Sequence, residues 1–181
     1  QSAQRIVKTD QILSHAEKKR RRADGRGAAW RLRMDAAIET VIRQELGHLS
    51  WFDYLLGRQQ ATPAIFGDIV IARADIAASY HLSVVVDDAI DGITLVTRGK
   101  DLAPSTHIHR LLQALLKLPI PDYCHHSIIV DKKGERLAKR NAATSLKKLQ
   151  QTHNEPSKVF AIIPAVPKVY DTNKDQKTQM F

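Results

Sequence analysis

The stretch from residue 79 to residue 110 constrains the fold most strongly, because it predicts three successive secondary-structure elements. Its apolar residues recur with the spacing of one helix face, at Leu82, Val85, Val86, Ala89 and Ile90. Ser79 can cap the start of this helix, and Gly92 stands where a left-handed stop is needed. The β-branched run at 84–86 favours a strand instead. Propensity and periodicity therefore disagree here, and we predict a helix.

Ile93, Leu95 and Thr97 alternate in sequence with Thr94, Val96 and Arg98, which predicts a short strand that Gly99 closes. A second helix follows and ends before Pro119, with an apolar stripe formed by Leu111, Leu112, Leu115 and Leu116. Similar patterns predict strands at 29–34, 68–73 and 123–130 and helices at 10–22 and 38–46. We therefore expect an α/β unit over residues 28–150. The alternative is an all-helical protein, if the triple-valine stretch and its neighbours have no sheet to pack against.

The composition is that of a soluble globular protein. Hydrophobic residues make up 43% of the 181 residues, no apolar run approaches the length of a membrane span, and no signal peptide is recognisable. Cys124 is the only cysteine, which excludes an intrachain disulfide and a multi-cysteine zinc site. We expect a cytoplasmic protein with no membrane partner.

The net charge of +9 is unevenly distributed along the chain. Lys and Arg exceed Asp and Glu by ten to three in residues 1–33 and by seven to two in residues 131–150, whereas the centre is net acidic. Two basic ends around an acidic centre predict a polyanion bound by part of the surface. A basic surface without such a partner is the alternative. The boundaries of these composition shifts suggest a basic helical segment at 1–27 and a polar tail at 151–181.

Two separate motifs carry a family resemblance. The sequences YHLSVVVDDAIDGITLVTRGKDL at 80–102 and YCHHSIIVDKKGERLAKR at 123–140 resemble the C-terminal half of the catalytic domain of class I glutamyl-tRNA synthetases. Within that family the chain is most similar to the short branch without an anticodon-binding domain, the glutamyl-Q tRNA(Asp) synthetases. The resemblance implies the second half of a Rossmann-like catalytic domain with part of its connecting insertion. The family's HIGH-type signature and cysteine-rich zinc site do not occur in this sequence, so we expect the N-terminal half of the domain to be missing.

The resemblance also implies a function. It is the ATP-dependent activation of glutamate and the transfer of glutamate to the queuosine base of tRNA(Asp), with glutamate, ATP with Mg²⁺, and tRNA as the partners. The chain continues for only about forty residues beyond its KMSKS-type loop, whereas a discriminating glutamyl-tRNA synthetase needs a long helical domain there. A fragment of such a synthetase and a non-catalytic RNA-binding remnant remain the alternatives.

Four residues are implied as site residues. Tyr80 and Arg98 match the family's glutamate-binding Tyr and Arg, and a guanidinium at a strand end can hold a carboxylate. Arg136 and Lys139 match the two cations of the KMSKS-type loop that contact ATP, and Lys139 is also the predicted catalytic residue. Ala138 replaces the serine of that loop and removes a hydroxyl. Without the resemblance, the sequence favours a surface ion pair for Arg98 and a plain basic turn for the KMSKS-type loop.

Other groups of residues admit two interpretations each. Asp87 and Asp88 suggest a metal-binding pair, but neighbours on a helix point about 100° apart, so we expect a structural role. Four histidines, at 107, 109, 125 and 126, resemble a metal cluster but lack an ordered carboxylate partner, so no metal site is predicted. The aromatic stretch at 51–55 fits either RNA stacking or the core, and the basic run at 18–22 fits either RNA phosphates or a solvated helix end.

Overall fold

The predicted helices and strands occur in the structure in the predicted order. The structure is a computed structural model and describes residues 13–24 and 29–128 together with residues 130, 147, 151, 155 and 157. The helices are α1 His15–Ala23, α2 Met34–Arg43, α3 Tyr80–Ile90 and α4 Ser105–Leu116. The strands are β1 Ala29–Leu32, β2 Ser50–Asp53, β3 Gly57–Gln60, β4 Ile69–Arg73, β5 Leu95–Gly99 and β6 Asp122–His126. No helix among the described residues is long and apolar enough to cross a membrane.

The ends of α3 are set by local chemistry. The Ser79 hydroxyl accepts a hydrogen bond from the Leu82 N–H at 3.4 Å, as the cap prediction requires. Gly92 has a φ of +65°, and the Ile93 N–H donates to the Asp88 carbonyl at 2.9 Å, which closes the helix in the Schellman manner. Val85 is 2% exposed on the core-facing side. Burial of this apolar face outweighs the strand preference of its valines.

The strands form two sheets. A four-stranded sheet has the order β3-β2-β6-β5, in which β6 runs parallel to both β2 and β5, while β2 and β3 form an antiparallel hairpin. Strands β1 and β4 form a separate antiparallel pair. The predicted α/β class is confirmed, since the strand after α3 pairs with β6 and the helix α4 connects them. The all-helical alternative is excluded.

The main core lies between α2, α3 and α4. Met34, Val85, Ile108 and Leu111 are each at most 3% exposed and belong to one cluster. A smaller cluster lies against the parallel sheet and contains Trp51, which is 5% exposed. The buried interpretation of the aromatic stretch is therefore correct for Trp51, and this indole cannot stack on RNA bases.

Several predicted boundaries are wrong. Helix α2 spans Met34–Arg43 rather than 38–46, and Met34, predicted as the end of a strand, is its first residue. Helix α1 begins at His15 rather than near Asp10, because the Ser14 hydroxyl accepts the Glu17 N–H at 3.2 Å and serves as the cap. The last strand ends at His126, before Val130, whose side chain is 47% exposed. The boundaries proposed at 1–27, 28–150 and 151–181 stay predictions, since much of the chain on either side lies outside the described residues.

Candidate active site

Arg98 lies near the carboxyl end of β5, the edge of a parallel sheet where ligand contacts are usual. In the register of the sheet, Arg98 is the partner of His125 on β6. Paired residues on neighbouring strands point to the same face, so the guanidinium and the imidazole lie side by side. The first residues of α4 follow β5 after one turn of 3₁₀ helix, which brings Thr106 and His109 over the same point.

The Arg98 guanidinium is held on three sides by neutral acceptors. Its Nε donates to His125 Nε2 at 3.1 Å, its Nη2 donates to Thr106 Oγ1 at 2.7 Å, and its Nη1 lies 3.4 Å from His109 Nδ1. The Tyr123 ring lies beneath it, 5.4 Å from the guanidinium carbon to the ring centroid. In the part of the chain that the structure describes, no carboxylate forms an ion pair with Arg98. The surface ion-pair interpretation is therefore wrong.

His125 is fixed on its other side by Asp53, the last residue of β2. His125 Nδ1 lies 2.5 Å from Asp53 Oδ2, and the two side chains are 1% and 0% exposed. A carboxylate can only accept, so Nδ1 carries the proton, and Nε2 is left as an acceptor for Arg98. Burial lowers the pKa of His125 although the Asp53 hydrogen bond opposes this. His125 is thus neutral, because a proton on Nε2 would also face the Arg98 N–H.

On another side of Arg98, two further histidines, His109 and His81, form a chain of hydrogen bonds. Because His109 Nδ1 accepts from Arg98, its Nε2 carries the proton and donates to His81 Nδ1 at 3.1 Å. Burial, and next the charge of Arg98, lower the pKa of His109 to about 3. Burial likewise lowers the pKa of His81. Both rings are therefore neutral, and the His81 proton is on Nε2.

Tyr80 stands at the open side of this arrangement. It is the first residue of α3, is 53% exposed, and its ring centroid lies 5.9 Å from that of His109 and 5.7 Å from that of His81. Since His109 contacts Arg98, the two residues predicted to bind glutamate flank one imidazole. Their assignment as ligands stays a prediction.

Asp88 is a further acidic residue whose charge interacts with that of Arg98. It lies on the same face of α3 as His81, and burial raises the pKa of its carboxyl group against the opposing effect of the Arg98 charge. Within the described residues, no three His, Cys, Asp or Glu side chains are grouped so that they could hold a metal ion. His109 and His125 instead serve as acceptors for Arg98, and His107 accepts the Thr62 N–H at 2.9 Å.

The sequence did not reveal the residues that hold Arg98. Asp53, Thr106 and His125 were not identified as site residues, and the histidines were considered only as metal ligands. One available signal was the spacing of Thr106 and His109, three residues apart and hence on one helix face directly after the Arg98 strand. Arg136 and Lys139 lie outside the described residues, so their predicted roles stay predictions.

Comparison with known proteins identifies the family. The family described as tRNA synthetases class I (E and Q), catalytic domain, matches residues 1–175. The glutamyl-Q tRNA(Asp) synthetase of Rhodobacter capsulatus is 44% identical over 137 residues, which are 75% of this chain and 48% of that protein. The protein of the same name from Nocardia farcinica is 39% identical over 151 residues, 83% of this chain and 44% of that protein.

The glutamate-tRNA synthetase of Elizabethkingia anophelis, a solved structure, matches with a TM-score of 0.49 and 22% identity over 72% of this chain and 25% of its own. The chain spans about half the length of the curated relatives it matches. The resemblance predicted from the two motifs is confirmed. Because the family match covers nearly the whole chain, the protein belongs to the class I tRNA synthetases for glutamate and glutamine, within their catalytic domain.

Proposed function

We propose that this chain takes part in the ATP-dependent activation of glutamate and in the transfer of glutamate to the queuosine base of tRNA(Asp). The proposal combines the chemistry of the Arg98 site with the names of the relatives, which are glutamyl-Q tRNA(Asp) synthetases at 44% and 39% identity. The observation that carries it is the set of Arg98 partners. All three are neutral, so the positive charge of Arg98 is not compensated by a contacting carboxylate of the described chain.

A half-buried guanidinium that contacts no carboxylate among the described residues favours a carboxylate ligand. Three of its five N–H bonds are directed at His125, Thr106 and His109, which leaves two for a ligand. A carboxylate has two oxygens that can each accept one of them, and such charge-assisted hydrogen bonds are the stronger kind. Glutamate carries two carboxylates, and Arg98 is proposed to hold one of them. The exposed Tyr80 hydroxyl is proposed to donate a further hydrogen bond to the same substrate.

The proposed reaction has two steps. The glutamate α-carboxylate attacks the α-phosphorus of ATP, which forms a glutamyl-adenylate and releases pyrophosphate. The nucleophile on the tRNA then attacks the activated carbonyl and releases AMP. ATP enters as its Mg²⁺ complex, and Arg136 and Lys139 are proposed to contact its phosphates. Lys139 would stabilise the negative charge that develops on the transferred phosphoryl group, where a cation lowers the barrier most.

Pyrophosphate exchange tests the activation step. The intact protein should incorporate labelled pyrophosphate into ATP only when glutamate is present, and aspartate should not replace glutamate. If glutamate-dependent exchange is absent, the proposed enzymatic function is overturned and the RNA-binding alternative is left. Glutamylation of tRNA(Asp) with and without queuosine then tests the acceptor. Transfer to the 3′ end of tRNA(Glu) instead would favour a discriminating glutamyl-tRNA synthetase.

A further inference from the structure

Asp53 and His125 form a buried pair behind Arg98 that the activation chemistry does not use directly. We propose that this pair is a positioning device, which fixes the donor directions of the Arg98 guanidinium so that its remaining N–H bonds face the substrate carboxylate. The inference rests on the proposed function, because it names the residues that prepare the glutamate-binding group. Neither residue needs to touch the substrate.

Asp53 controls which nitrogen of His125 carries the proton, because its two carboxylate oxygens accept hydrogen bonds from different groups. Oδ1 accepts the backbone N–H groups of Leu55 and Leu56 at 2.9 and 3.2 Å, and Oδ2 accepts from His125 Nδ1. The backbone bonds fix the orientation of the carboxylate, so Oδ2 always faces the ring. The proton of the neutral imidazole is thereby held on Nδ1, and the lone pair of Nε2 is held towards Arg98.

Interposing an imidazole has an electrostatic advantage over a direct carboxylate contact. An Asp or Glu beside Arg98 would form an ion pair and compete with the substrate carboxylate for the same charge. A neutral His125 accepts one N–H of Arg98 without neutralising it. The negative charge of Asp53 is kept one residue away, where it polarises the imidazole and strengthens its acceptor nitrogen.

The two residues of the pair lie on neighbouring strands of one sheet, as a positioning role requires. Asp53 ends β2, and His125 lies in β6, with the two strands paired through Asp53 and Tyr123. The His125 ring stacks on the Tyr123 ring with an interplanar angle of 3° and a centroid distance of 5.6 Å. Thr106 Oγ1 lies 3.3 Å from His125 Nε2, so the same hydroxyl that accepts from Arg98 also borders the imidazole.

The substitution Asp53→Asn separates positioning from packing. The asparagine Oδ1 can keep both backbone bonds, which leaves its amide nitrogen, a donor, facing His125 Nδ1. His125 must then accept at Nδ1 and carry its proton on Nε2, where it opposes the Arg98 N–H. A wrong histidine tautomer with unchanged geometry is a known consequence of such a change in serine proteases. We expect glutamate binding to weaken about ten- to a hundredfold.

Two measurements on the intact protein test this. Nitrogen-15 NMR of the histidines should show a neutral His125 with its proton on Nδ1, and on Nε2 in the Asp53→Asn variant. Calorimetric titration with L-glutamate should show the weakened binding. A wild-type Nε2–H tautomer, or unchanged glutamate affinity after the tautomer has moved, would overturn the inference.

Substitutions of His125 provide a second test of the inference if the Asp53→Asn variant does not fold. The amide oxygen of His125→Gln can take the place of Nε2 and accept from Arg98, whereas His125→Leu cannot, so the Gln variant should bind L-glutamate more tightly than the Leu variant. The neighbouring His126→Gln, whose ring Nδ1 faces the Ser127 carbonyl, is the matched control and should bind normally. Equal affinity of the Gln and Leu variants would contradict the positioning role. If the unsubstituted protein binds no glutamate, the proposed function fails, and the His125 tautomer alone decides whether the pair acts on Arg98 as described.

Discussion

Replacing Arg98 with alanine is the most informative single perturbation of this site. Arg98 is half-buried, and its partners are the neutral side chains of His125, Thr106 and His109. A unit charge 4 Å away in such an environment, with an effective dielectric constant of about 20, attracts a carboxylate by about 4 kcal/mol. Desolvation of both groups offsets part of this, and the net value for a hydrogen bond to a charged group is about 1.5–3 kcal/mol.

This magnitude predicts a specific kinetic pattern for Arg98→Ala. The carboxylate that Arg98 holds is present in the ground state and in the transition state alike, so its loss should raise the glutamate KM and change kcat little. We expect a KM increase of about ten- to a hundredfold in glutamate-dependent pyrophosphate exchange. Arg98→Lys should recover only part of the loss, because an ammonium group lacks the planar fork that fits His125, Thr106 and the ligand at once.

The assay needs a folded variant and a control for nucleotide binding. Thermal unfolding checks the fold, and the KM for ATP should stay near its wild-type value, because Arg98 is assigned to glutamate. An unchanged glutamate KM with a lowered kcat would refute the assignment of Arg98 to substrate binding. A parallel rise in the ATP and glutamate KM values would point to a collapsed site rather than to a lost contact.

Three further predictions address other parts of the molecule. Lys139→Ala should lower the kcat of activation and leave glutamate affinity nearly unchanged. Lys139→Arg should restore part of the rate and Lys139→Gln little of it. A raised glutamate KM with a normal kcat would contradict the assignment of Lys139 to phosphoryl transfer. His109 has a pKa lowered to about 3, against about 6.5 in the unfolded chain, so its contribution to stability is complete above about pH 6.5 and is lost as the pH falls towards 3. The melting temperature should therefore fall less steeply on acidification in His109→Gln than in the wild type, and equal slopes would refute the neutral ring. Arg110 is 3% exposed and donates to the Ser50 and His48 carbonyls. Arg110→Ala should therefore lower the free energy of unfolding by about 2 kcal/mol in a denaturant titration and leave the glutamate affinity of the folded protein unchanged. A loss of glutamate affinity without a loss of stability would contradict the structural role of Arg110.

The sequence predicted those features that depend on neighbours along the chain. The apolar spacing of residues 80–90, the Ser79 hydroxyl and Gly92 defined α3 within one or two residues, because helix faces and caps involve positions three to five apart. The same is true of β5 and of Arg98 at its end. The motif resemblance identified the family because it compares local runs of residues in their order.

The surroundings of Arg98 required the tertiary structure. Asp53, Arg98 and His125 come from three strands, and their contacts depend on the parallel register of β5 and β6 and on the pairing of β2 with β6. No local pattern specifies which strands are neighbours. From the sequence the histidines were therefore considered only as possible metal ligands, and not as partners of Arg98. The protonation of each ring also depends on those contacts, because an imidazole nitrogen donates or accepts according to the group that faces it. Sequence thus determined where the cation is, and only the fold decided which neutral groups hold it and leave its charge available to a ligand.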